Sequence, residues 1–290
     1  MPSKSDLQFA QWLNGETMDK ITLADRGLQY GDGFFTTIAI LDGKILNWSG
    51  HWARIQNSSK VLQFPEPTEA PLLQSIKPAT HQFLQANRLK NAVLKIIYTR
   101  GEGGQAYAAP DEPNPNIMFY FKLMPNISKD IGFKVGISST IASTNSFKGV
   151  KTLNRLENVM ARTEALTNGL QESIMFDCKQ NAVCASQCNL FMVKGQKIYT
   201  PNIISSGVAG TSRQRLIQIL KQHNYAVTET DITLENLMHA DELFLTNAVM
   251  GVQAVTEFNE KRFLPHKLTP QIAMLWNNWQ IENALTIKDE

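Results

Sequence analysis

The sequence predicts an α+β protein of two domains, and three observations carry that reading. Runs of β-branched and aromatic residues suited to strands are interleaved with segments of helical spacing in both halves. The break MPNISKD follows a strand-like run near the middle, where a linker would sit. The 290 residues also exceed the ~100–200 of a usual domain. The division falls at 1–124 and 132–290, with a linker over 125–131.

Taken in order, FAQWLNG reads as a first strand, and TTIAILDGKILNW as two β-rich runs joined by the turn Asp42-Gly43. From His51 to Leu62 the apolar residues recur at helical spacing, with Ser49 placed to cap. Leu72 to Leu84 supplies a second helix. AVLKIIYTR and NIMFYFKLM suit strands, and the Gly- and Pro-rich RGEGGQAYAAPDEPNPN forms the loop between them. Beyond the linker, GFKVGISS, ESIMFDC, NLFMVKG, YAVTETD and ELFLTNAV are strand candidates; Asn154–Asn168, Thr211–His223 and Gln271–Leu285 are helix candidates.

Composition narrows function by exclusion. Lys and Arg total 28 against 26 Asp and Glu, a net charge of +2, so no general nucleic-acid footprint is present. No apolar run approaches the roughly 20 residues of a membrane span. The N-terminal segment lacks the pattern of a secretory signal, which makes the cytoplasm the expected compartment. Cys178, Cys184 and Cys188 are an odd number in one stretch, unlike a disulfide framework, and no fourth ligand at zinc spacing accompanies them, so no metal is expected.

Chemistry concentrates in three places. In DRGLQYGDGFFTT, Gly31 and Gly33 permit positive φ or close backbone approach. In SGVAGTSRQRL, Gly207 and Gly210 precede Thr211, Ser212 and a helix, an arrangement that aims backbone N–H groups at an anion; it is neither a Walker loop nor a dinucleotide fingerprint. In GVKTLNRLENVMARTEA, Lys151 lies just before a helix that Asn154 could cap. An amine leaving a fixed, partly buried turn can act as a Schiff-base nucleophile and proton shuttle.

In chain order, WLNG, DRGLQYGDGFFTT, HWARI, RGEGGQAY, VKTLNRLENVMAR, CNLF, SGVAGTSRQ and DELFLTNAVM resemble the fold-type IV pyridoxal-phosphate enzymes, which include branched-chain and D-amino-acid aminotransferases and aminodeoxychorismate lyases. The resemblance implies a D-amino-acid-aminotransferase-like fold with a small N-terminal α/β domain and a larger, β-barrel-like C-terminal domain. It also implies pyridoxal 5'-phosphate as cofactor, a small-molecule substrate and a homodimer, with no nucleic-acid or membrane partner. Thr36 and Thr37 after GDGFF, where aminotransferases usually carry Glu, together with LNRLE and NAVM, resemble the lyases. These eliminate pyruvate from 4-amino-4-deoxychorismate to give 4-aminobenzoate for folate synthesis. A branched-chain or D-amino-acid aminotransferase is the alternative, and a catalytically impaired relative the third reading.

Carried over by position, Lys151 would bond the cofactor aldehyde and serve as base. Arg54, Thr211 and Ser212 would hold its phosphate, with Asn247, Ala248 and Val249 closing the cup. Arg155 lies where branched-chain aminotransferases have a Tyr near the cofactor phenolate. Thr36 or Thr37 would orient the departing group. Tyr30, Arg100 and Gln105 are substrate candidates, and Arg213 is a further carboxylate candidate. The sequence departs from the pattern at two sites. Gln105 and Ala106 replace an Arg and a Gly, and Cys184 stands where the family has the Glu that pairs with the pyridine nitrogen.

Overall fold

Alternating apolar residues in the first half build one sheet around a long central strand. The computed structural model describes residues 9–17, 20–126, 132–144, 146–147, 149–204, 206–263 and 266–287. Its elements run β1 (Phe9–Leu13), β2 (Glu16–Thr17), α1 (Arg26–Tyr30), β3 (Gly33–Leu41), β4 (Lys44–Ile45), α2 (Trp48–Val61), α3 (Glu69–Ala86), β5 (Ala92–Thr99) and β6 (Asn116–Leu123). There follow β7 (Phe133–Ile137), α4 (Leu156–Thr167), β8 (Glu172–Phe176), β9 (Ala182–Ala185), β10 (Asn189–Lys194), β11 (Lys197–Pro201), α5 (Thr211–Gln222), β12 (Ala226–Thr230) and α6 (Leu234–Met238). The chain closes with β13 (Glu242–Asn247), β14 (Gly251–Phe258), β15 (Lys261–Arg262), α7 (Thr269–Glu282) and β16 (Leu285–Thr286).

Two units emerge. The first takes the chain to Asn126, the segment Val150–Asn154 and the stretch from Ile281 onward. Its antiparallel sheet runs β16-β4-β3-β5-β6-β1-β2. Because side chains alternate across a strand, Phe34, Thr36, Ile38 and Ile40 of β3 are buried on one face. The apolar members of that set pack with Leu94, Ile96, Phe119, Phe121 and residues of α2 and α3 such as Ile55, Ile76 and Phe83. Phe35, Thr37, Lys95 and Tyr120 share the opposite face and are half-buried.

The second unit spans Ile127–Gly149 and Arg155–Gln280. Its mixed sheet follows β12-β11-β10-β13-β14-β7-β8-β9, with β15 paired to β14. β9 also lies against β10 and β11, and Ala185 N–H reaches the Cys188 carbonyl at 2.8 Å. The sheet therefore curls back on itself, as the barrel-like expectation requires. Phe191 and Phe244 stack within it, 4.8 Å apart.

The structure departs from the sequence reading at several boundaries. Ser49 lies inside the first turn of α2, whose start is Asn47 in the left-handed region (φ 49°) with no side-chain cap. Asn154 does not cap α4; Arg155 precedes that helix, and the Asn154 amide instead donates to the Gly31 carbonyl at 3.1 Å. The last helix ends at Glu282, and Leu285 belongs to β16 because it pairs with Ile45 of β4. Val150–Asn154 and the segment from Ile281, read from sequence as part of the second domain, make their contacts in the first unit. Part of the expected linker, 127–131, lies outside the described residues. Among the described residues no helix is long and apolar enough to cross a membrane.

Candidate functional site

The first cluster is built on β3. Lys151 is held beside that strand by backbone pairing: Phe35 N–H donates to the Lys151 carbonyl at 3.0 Å, and Leu153 N–H to the Gly33 carbonyl at 3.0 Å. The pairing requires glycine at position 33, where a Cβ would meet the Tyr98 carbonyl at 2.1 Å. Gly31 ends α1 at φ 64°, a conformation glycine adopts without strain. The Lys151 ammonium then lies over the Phe35 ring, 4.7 Å from its centroid. Lys95 approaches the same ring at 4.3 Å. Burial and the charge of Lys122 push its pKa below the ordinary lysine range.

Strand alternation separates the two threonines. Thr37 shares the face of Phe35 and Lys95, whereas Thr36 is buried on the other face beneath α2. The Thr36 hydroxyl lies 2.6 Å from His51 Nδ1 and accepts from an Arg54 guanidinium nitrogen at 3.3 Å. Burial, reinforced by the Arg54 charge, holds His51 well below the usual imidazole pKa, so it stays neutral there. Desolvation also draws Arg54 down to about 10.

Other residues of the glycine motif are scaffold. Asp25 is buried and accepts from Gly27 N–H, Thr99 Oγ1 and Asn116 Nδ2 at 2.8, 2.6 and 2.8 Å. Asp32 pairs with Arg26 and Arg100 at 2.9 and 2.8 Å. Arg100 also donates to the Leu62 and Gln63 carbonyls and stacks on Phe64 at 4.3 Å. That guanidinium thus braces the strand end through Asp32 and the two carbonyls. Arg213 is likewise occupied by Glu229, the Pro201 carbonyl and Thr200. Gln105 is exposed, in a loop whose carbonyls at Gly103, Ala106 and Tyr107 accept from Arg26. Tyr30 packs edge-on against Tyr107, 5.5 Å between centroids.

The second cluster belongs to the other unit. α5 starts at Gly210 with no side-chain cap, so its first N–H groups are left for another acceptor. Thr211 and Ser212 are 2% exposed, and among the described residues neither hydroxyl has a hydrogen-bond partner. The preceding loop is braced by Asn189, which donates to the Val208 carbonyl at 3.0 Å, and by Ala209 N–H on the Gly149 carbonyl at 2.9 Å. Buried hydroxyls and N–H groups converging at a helix start can receive an anion such as a phosphate. Cys184 is buried with Ala142, Ala161, Met175 and Val183. It lies within electrostatic range of Arg155, whose pKa burial lowers while Cys184 and Glu157 oppose that shift.

Asn247 is used locally. Its Oδ1 accepts from Val249 and Met250 N–H at 2.9 and 2.8 Å, and its Nδ2 approaches Cys188 Sγ at 3.4 Å. The Asn247 amide oxygen and the Val249 N–H are thus engaged in a local turn, with Ala248 between them. Sequence reasoning read His51 as a structural residue of HWARI and missed Lys95 and Thr246. A lone lysine within the apolar run AVLKIIYT marks Lys95; Thr246, buried with an unpartnered hydroxyl, carries no such mark. Among the described residues no group of three His, Cys, Asp or Glu could hold a metal ion.

The family model for amino-transferase class IV matches residues 33–258. The aminodeoxychorismate lyase of Vibrio harveyi is 30% identical over 249 residues, covering 84% of this chain and 90% of that protein. The D-alanine aminotransferase of Bacillus licheniformis is 24% identical, covering 94% and 98%. The crystal structure of 4-amino-4-deoxychorismate lyase from Pseudomonas aeruginosa superposes with a TM-score of 0.81 at 28% identity, over 94% of this chain and 98% of that one. With this match and the curled second sheet, the chain belongs to the class IV aminotransferase family of fold-type IV enzymes, among which its relatives are lyases and aminotransferases.

Proposed function

We propose that the protein is a pyridoxal-phosphate-dependent 4-amino-4-deoxychorismate lyase, releasing pyruvate and 4-aminobenzoate for folate synthesis, and working as a cytoplasmic homodimer. The observation that carries the reading is the pair Thr36 and Thr37 after GDGFF, where aminotransferases usually carry Glu; of the two, Thr37 shares the β3 face of Phe35, the ring under the Lys151 ammonium. Similarity to the lyases of Vibrio harveyi and Pseudomonas aeruginosa supports it.

The residues fit the cofactor at its phosphate end, where Thr211 and Ser212 keep buried, unpartnered hydroxyls at an uncapped helix start. They would take phosphate oxygens through hydroxyl and backbone N–H donors; by the family resemblance Arg54 is a charge-assisted phosphate candidate. When bound, the cofactor supplies an electron sink for the carbon that loses its proton. Lys151 would take the proton from the amine-bearing carbon. The C–O bond to the enolpyruvyl group would break as the ring becomes aromatic, its electron pair leaving on the oxygen; Thr37 would hold that oxygen, and the proton taken by Lys151 would balance the protonation of the enolate to pyruvate. Thr36, pinned between His51 and Arg54, positions Arg54 instead.

Cys184 fits this reaction better than transamination. A thiol replaces the family's carboxylate, which weakens the sink. Aromatisation supplies a driving force that amino transfer lacks.

The test is to supply the holoenzyme with 4-amino-4-deoxychorismate and follow 4-aminobenzoate by fluorescence and pyruvate by a coupled assay. Both products are expected in equal amounts, with Lys151→Ala abolishing turnover and the visible absorption of the cofactor-loaded protein. Amino transfer to 2-oxoglutarate without 4-aminobenzoate would establish the aminotransferase reading instead.

A further inference from the structure

We propose that Lys122, together with Lys95 and the Tyr120 ring, forms a second carboxylate-binding position on the open face of the first unit's sheet, so that the site selects a cyclic dianion over a monoanion. The proposal rests on the lyase reading, whose substrate carries two carboxylates.

The strand register sets the residues out. Thr37 faces Lys95 across β3 and β5, and Lys95 faces Tyr120 across β5 and β6. Lys122 faces Val93 one step along the same face, which makes Lys95 and Lys122 diagonal neighbours. Each amine rests against a ring. Lys151 and Lys95 lie 4.7 and 4.3 Å from the Phe35 centroid, and Lys122 lies 5.1 Å from that of Tyr120. Cation–π contact limits where these flexible stems place their charge.

Among the described residues, neither Lys95 nor Lys122 has an ion-pairing carboxylate. Like charges at diagonal cross-strand positions repel, and the lowered pKa of Lys95 reflects burial first and Lys122 second. An anion between them relieves that repulsion. Gln105 supplies no charge where the family loop carries an arginine, so a second carboxylate needs another cation. Lys122, exposed and adjacent to half-buried Lys95, is placed to provide it.

The experiment measures calorimetric binding of isophthalate and benzoate to the holoenzyme in wild type, Lys122→Gln, Lys122→Arg and Lys197→Gln, the last controlling for net charge. Wild type is expected to prefer isophthalate by about threefold to fivefold, the upper range for an exposed charge pair. Lys122→Gln should erase that preference with benzoate affinity unchanged, while Lys122→Arg and Lys197→Gln retain it. Absence of isophthalate binding or of a preference in wild type overturns the proposal. So does a Lys122→Gln variant that keeps the preference, or a parallel loss for both probes. Loss of the preference in Lys122→Gln while wild type releases no 4-aminobenzoate upholds the dianion position and sinks the lyase reading. Release of 4-aminobenzoate with an unmoved preference does the reverse.

Discussion

Asp32 shows how one side chain of the glycine motif does structural work beside the chemistry. Burial alone would raise its pKa, but hydrogen bonds from Arg100 and Arg26 outweigh that, and the carboxyl titrates below its ordinary value. A depressed native pKa means stability present above the unfolded value, near 4, and lost as pH falls through the lower native one. Asp32→Asn should cost roughly 3 kcal/mol near neutrality, because two buried guanidinium groups lose their anion. Urea unfolding at pH 7 and pH 3 checks this: the gap between variant and wild type should narrow at the lower pH, and an unchanged gap would contradict the linkage. Asp32, Arg26 and Arg100 are all visible in sequence as charged residues near glycines. Only the fold shows that Asp32 bridges the two guanidinium groups and that Arg100 also braces the Leu62 and Gln63 carbonyls.

At the scale of elements, the start of α5 is the clearest case of a local pattern that survives folding. Gly210 followed by Thr211, Ser212 and an apolar-periodic helix was readable as an anion-binding start because each part acts within a few residues. Among the described residues the two hydroxyls have no partner to lose, so Thr211→Val with Ser212→Ala should leave the melting temperature of the cofactor-free protein unchanged while weakening pyridoxal-phosphate affinity by about tenfold or more. Equilibrium dialysis and thermal melting separate these effects; a large drop in cofactor-free stability would make the pair structural. The β3 threonines carry the complementary lesson. Period-two alternation states that Thr36 and Thr37 face opposite ways, but not which face α2 covers, and that choice divides their roles.

For the whole molecule, the C-terminal segment completes the first unit rather than extending the last helix. Leu285 pairs with Ile45, and Ile287, 5% exposed, joins the core with Ile40 and Trp48. Ile287→Ala should destabilise the protein by about 2–5 kcal/mol through lost burial and a residual cavity. Denaturant unfolding measures this, and a cost below about 0.5 kcal/mol would show that the segment contributes little to the core. Helical spacing carried the expected helix to Leu285 because periodicity continues past Glu282. The pairing that ends it comes from a strand more than two hundred residues away.

The sequence by itself determined the α+β class, most strands and helices, the glycine turns, and the ordered motifs around Lys151, Arg54 and Ser212. Those features follow from local preference and short-range spacing. Tertiary structure alone decided which β3 face carries Phe35 and Thr37 beside Lys95, that Asp32 pairs with Arg100, that Asn247 closes a local turn, and that Lys95 and Lys122 become neighbours. Strand register and packing join residues distant in the chain, and no local pattern encodes them.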